Sequence, residues 1–149
     1  MVEVKTLVKG YMEEAKLMQL ATSANGQPWV CSVWFAADED LNIYYFSSTL
    51  RRHSREVAAN RKVSGAIALP HTPLDKPKGV QFQGDAEMLT EKADIDDAIS
   101  LYAGRIFPKE KVLELMERSS HAFYRIRPTM FVLFDVVDFP DSPRQEFRL

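Results

Sequence analysis

The sequence predicts a small closed antiparallel β-barrel with helices around it. Short runs rich in β-branched and aromatic residues alternate with compact polar turns, the pattern of a strand meander. Helical periodicity is confined to a few short segments. The chain has 149 residues, 46% apolar and 27% charged, enough for one domain with a real core. Six or seven strands in so short a chain leave exposed edges unless the sheet closes on itself, and closure argues for a barrel.

The elements follow in order. Residues 3–16 carry Val4, Leu7, Val8, Tyr11, Met12 and Ala15 at three- and four-residue steps, one apolar stripe on a helix. The period then changes. "LMQLATS" (17–23) reads as a strand, and Asn25-Gly26 is a hairpin signal, because a type I′ turn needs positive φ at both central positions. "WVCSVWFAA" (29–37) is the second strand, "DEDLN" a turn and "IYYFSS" (43–48) the third strand. After a basic segment come a fourth strand, "KVSGAIAL" (62–69), and a proline-rich loop (70–78). In "GVQFQGDAEML" (79–89), Val80, Phe82 and Gly84 alternate with Gln81 and Gln83, as a half-buried strand requires. Residues 91–104 read as a helix capped by Thr90, with Glu91 and Asp94 at its positive end. Pro108 suits the first turn of a second helix running to about 118. "HAFYRIR" and "MFVLFDVVDF" read as two closing strands, and the tail "PDSPRQEFRL" shows no period. No repeat or long linker divides the chain, so a single domain over 1–149 is expected.

Composition narrows the function. A net charge of −2 argues against a general nucleic-acid binder. No stretch approaches the roughly 20 apolar residues of a membrane span. "MVEVKTLVKGYMEEAK" has no apolar core of a signal peptide, so a cytoplasmic protein with no membrane partner is expected. A lone cysteine, Cys31, fits a reducing compartment. His53, His71 and His121 are too dispersed for a zinc motif, and no HEXXH, GXSXG, P-loop or G-x-G-x-x-G is present. Asp94, Asp96 and Asp97 read as a solvated helix face. An enzyme built on this chain would take its reactive group from a cofactor.

The unusual feature is "SSTLRRHSREVAAN" (47–60), where Arg51, Arg52, His53 and Arg55 follow Ser47, Ser48 and Thr49 at the start of a helix. Free N–H groups, the helix dipole and arginine together make an anion site. The alternative is a solvated basic face paired with Glu56. The segment follows an aromatic strand and lies near the strand holding Trp29 and Trp34. An apolar wall beside a phosphate clamp suits a planar ring with a phosphate tail, although such aromatics are often plain core.

The ordered set "LATSANGQPWVCSVWF", "LNIYYFSSTLRRHSREVAANRKVSGAIA" and "GVQFQGDAEML", roughly residues 17–89, resembles the pyridoxamine 5′-phosphate oxidase-like family, the FMN-binding split barrels. "AGRIFPKEK" and "FYRIRPTMFVLFD" resemble the helices and closing strands of its smaller members. The resemblance implies a six-stranded antiparallel split barrel, mostly β with peripheral helices, that forms a homodimer with FMN between subunits. It assigns Arg52 and His53 to the FMN phosphate. Phe46 and Ser47 become the strand end beside the cofactor, and the backbone of Val30, Ser32, Val33 and Trp34 runs along the flavin ring. Arg51 and Arg55 fall outside the pattern, either solvated or meeting the dimer partner. Trp29 and Trp34 stand where the oxidase proper has basic residues. Gly79 stands where it has glutamine, with Gln81 a substitute two positions on. "DFPDSPRQEFRL" lacks the Arg-Pro and Trp motifs that bind pyridoxamine phosphate. The expectation is therefore an FMN-dependent oxidoreductase of another small molecule, with NADH or NADPH as candidate electron donors. The alternatives are a non-catalytic flavin-binding stress or sensor protein, and a split barrel using a deazaflavin or haem, for which His53, His71 or His121 would be the axial ligand.

Overall fold

The computed structural model describes residues 3–149. In chain order the elements are α1 (Val4–Glu14), β1 (Leu17–Ala24), β2 (Gln27–Ala37), β3 (Ile43–Ser48), α2 (Arg52–Ala59), β4 (Lys62–Ile67), β5 (Lys78–Met88), α3 (Lys92–Tyr102), α4 (Lys109–Arg118), β6 (His121–Asp135) and β7 (Arg144–Arg148). The antiparallel sheet runs β3-β2-β1-β4-β5-β6-β7, and β3 also pairs with β6. That pairing closes a ring of six strands, with β7 added outside it.

Local chemistry sets the first hairpin. Asn25 and Gly26 have φ of 53° and 74°, the two positive values that a type I′ turn demands. In the β2–β3 turn Leu41 sits at φ 67°, and Asp38 Oδ1 accepts from the N–H of Asp40 and Asn42. Full burial of the Leu41 side chain offsets that strained backbone.

The barrel interior holds Leu20, Phe35, Tyr45, Phe82, Tyr124 and Phe131, with Tyr45 stacked on Tyr124 at 4.9 Å. α1 adds Val8, Tyr11 and Met12 to this core, and α2 adds Val57. A second core lies outside the ring, where Tyr44, Phe46 and Phe123 meet Ala98, Tyr102 and Val112 of α3 and α4. Arg105, between those helices, donates to the carbonyls of Met12, Glu13 and Ala15 and so caps the C-terminus of α1.

Some expectations change. The two closing strands are one 15-residue strand, β6. Pro128 does not break it, because the register shifts opposite Gln83 and Gly84 and the bulge accommodates the missing N–H. The tail is not irregular: β7 pairs with β6, and Phe147 stacks on Phe131 at 5.4 Å. The helix after β5 is capped at Glu91 rather than Thr90, without a side-chain cap bond. Asp94 is not merely solvated, since its carboxylate lies 3.4 Å from Arg125.

Candidate functional site

The basic turn separates the residues assigned to the phosphate. Arg52 lies against β2, its guanidinium 4.0 Å from the centroid of Trp29 and its Nε donating to Glu56 Oε2 at 2.9 Å. Thr22 Oγ1 donates to the other Glu56 oxygen at 2.8 Å. The hydrogen bond from Arg52, and then that from Thr22, hold the Glu56 carboxyl below the usual range. Arg52 is therefore fixed through Nε and its flat face, while its terminal NH₂ groups make no hydrogen bond among the described residues. No side chain caps α2, and the N–H groups of Arg52, His53 and Ser54 have no acceptor among the described residues.

His53 turns the other way. It is buried, and its Nε2 shares a 2.7 Å hydrogen bond with Ser47 Oγ. Burial first, and the neighbouring Arg51 charge second, lower its pKa from 6.5. The unfolded chain therefore binds this proton more tightly than the folded one, and stability falls as pH drops through 6.5 toward the lower folded value. His121 is shifted in the same direction by burial and Arg51. Replacing His53 with Asn is expected to remove part of the stability lost between about pH 7 and 5. Urea unfolding across that range would measure it; an unchanged pH slope would mean that His53 is not held neutral.

On β2 the pleat sends Val30, Ser32 and Trp34 outward and Val33 into the core, so Val33 can meet a ligand only through its backbone. Val30 and Trp34 are 60% and 47% exposed. Ser32 Oγ donates to Gln19 on β1 at 2.8 Å. Gln81 is on the same outer face, reached through the register Gln19 to Ala66 to Gln81. Val30 and Gln81 both line a hollow of about 410 Å³ on this face, floored by the small side chains of Ala21, Ser64 and Ala66. Phe46 does not join this face; its ring packs in the second core, 4.6 Å from Phe123. Ser47 is buried, bonded to His53, and does not line the hollow either.

The remaining reactive groups are quiet. Cys31 points inward, and burial pushes its thiol to about 11, so it is not a thiolate nucleophile. His71 is exposed on the β4–β5 loop. Ser119 Oγ donates to the Leu115 carbonyl, so the proton in its 2.6 Å contact with His121 Nδ1 belongs to the histidine. No cluster of three or more potential metal ligands occurs among the described residues. Among the described residues, no helix is long and apolar enough to cross a membrane. The sequence reading did not foresee the stacking of Trp29 on Arg52 or the bond from Thr22 to Glu56. The i,i+4 spacing of Arg52 and Glu56 was a legible signal; the reach across to β1 was not.

This geometry has relatives. The sequence model of the pyridoxamine 5′-phosphate oxidase family matches residues 4–131. A UPF0306 protein of Yersinia pseudotuberculosis is 26% identical over 107 residues, 71% of each chain. Among solved structures, the haem-storage protein HutZ of Vibrio cholerae has a TM-score of 0.71 at 23% identity, covering 85% of this chain and 91% of its own. An FAD-binding protein of Mesorhizobium loti has a TM-score of 0.65 at 22% identity, covering 87% of this chain and 92% of its own. At such identities the solved structures share the fold, and what each binds is a property of that protein.

Proposed function

The chain belongs to the pyridoxamine 5′-phosphate oxidase family, and on that premise we propose that it binds FMN and uses it as an oxidoreductase on a small molecule other than pyridoxamine phosphate. One observation carries this reading: Arg52 is held by Trp29 and Glu56 with its terminal donors unbonded among the described residues, beside the open first turn of α2. Prepositioned donors of this kind suit a phosphate. The outer face with Val30, Ser32, Trp34 and Gln81 supplies a flat wall for the flavin ring. His53 supports the strand end by holding Ser47 rather than gripping the phosphate directly.

The same face motivates a homodimer. Leu17, Val30, Trp34 and Phe134 are large apolar side chains left exposed on it. A second copy covering them would also complete the flavin pocket. FMN supplies hydride transfer when bound, and the chain's own residues fix its phosphate, shape the wall beside its ring and exclude water from it.

A second reading is haem binding. It is favoured by His121, whose Nδ1–H is held by Ser119 and whose Nε2 is the tautomeric position a metal would take. The visible spectrum separates the two. After mixing with FMN and desalting, the purified protein is expected to retain a flavin spectrum, to run near twice its 17.0 kDa in light scattering and to be bleached by NADH or NADPH. A protein that keeps no FMN overturns the flavin reading, and a Soret band on haem addition would replace it with the second. FMN retained without reduction would make this a flavin-binding module rather than an oxidoreductase.

A further inference from the structure

Successive helical residues turn by about 100°, so the flank of α2 opposite Arg52 and Glu56 presents Ser54, Ala58 and, just beyond the helix, Arg61. That flank faces the ends of β5 and β6 across a groove of about 620 Å³, within the range of small-molecule sites. Its floor is apolar, formed by the buried Val57, Ala86 and Tyr124, and Met88 lies exposed along one wall. Arg55 and Arg61 line it with Thr49.

The charge balance there is positive in a chain of net charge −2. Glu87 is the one carboxylate lining the groove, and it already faces Arg125 at 2.7 Å and both Arg61 and Arg127 at 3.4 Å. Arg55 is in no ion pair among the described residues. An apolar floor beside the unpaired Arg55 guanidinium and an Arg61 that shares Glu87 with two other arginines suits an amphiphilic anion, and the fixed charge of Glu87 favours a monoanion over a phosphate dianion.

We propose that this groove binds a small carboxylate with an apolar body, at a site separate from the Arg52 face. The site does not depend on the flavin reading. Anilinonaphthalene sulfonate, an aromatic monoanion that fluoresces in apolar surroundings, is the probe, with octanoate and benzoate as competitors. The native chain is expected to bind the probe saturably at one site and to release it to octanoate or benzoate. The double variant Arg55→Gln/Arg61→Gln should weaken binding at least tenfold. Ala58→Phe, which fills the groove from an exposed helix position, should do the same, and Arg52→Ala should leave binding unchanged. If Ala58→Phe fails to fold, judged by its circular dichroism, the double variant decides. Absence of saturable binding, failure of both carboxylates to displace the probe, or binding indifferent to the double variant would overturn the proposal. So would loss of binding in Arg52→Ala, because the probe would then be reporting the other face of the helix.

Discussion

Arg52→Ala is expected to weaken FMN binding by about 2–4 kcal/mol, roughly 30- to 1000-fold in Kd, the usual cost of removing one partner from a charged hydrogen-bonded pair. The effect should be large because the guanidinium is already immobilised by Trp29 and Glu56, so little side-chain entropy is lost when the phosphate arrives. The substitution also leaves the Glu56 carboxylate, still bonded to Thr22, without its counter-charge beside the bound anion. Arg52→Lys should fall between, since it keeps the charge but loses the planar fork and the stacking on Trp29. Titration of FMN fluorescence quenching gives both constants. An Arg52→Ala protein with native affinity would remove the phosphate from this turn.

Gly84→Ala should cost about 3 kcal/mol of stability, at the upper end for overpacking a well-filled interior. A methyl group there would press on the Arg127 carbonyl oxygen and lie 2.8 Å from Pro128 Cα. Both are backbone atoms of the β6 bulge, which cannot rotate aside as a side chain can. Gly79→Ala on the same strand is the control, because its nearest neighbour, the Ile67 carbonyl oxygen, is at an ordinary 3.6 Å. Urea midpoints for the two variants should differ widely. Equal midpoints would mean that β5 and β6 do not cross so closely at Gly84.

Much of the fold was legible because its signals are short-range. The Asn25-Gly26 turn needs only its own two residues to state its conformation. The burial of Val80, Phe82 and Gly84 against exposed Gln81 and Gln83 follows from the two-residue period of a strand. The start of α2 at the basic turn was readable for the same reason. Misreadings occurred where distant chain decides. Pro128 resembles a strand break until β5 is placed opposite it with a shifted register. Residues 144–148 become a strand only because the edge of β6 is there to receive them.

The candidate site divides along the same line. The sequence by itself determined that arginine, histidine and hydroxyl groups gather where a strand ends and a helix begins. It also determined that an aromatic strand lies nearby and that no other catalytic motif is present. Only the tertiary structure decided that Arg52 faces Trp29 while His53 turns inward to Ser47. Adjacent residues on a helix differ by about 100° in direction, so their roles depend on how the helix is rotated about its axis. That rotation is set by Val57 packing into the barrel and by Glu56 meeting Thr22 on β1, contacts between residues remote in sequence.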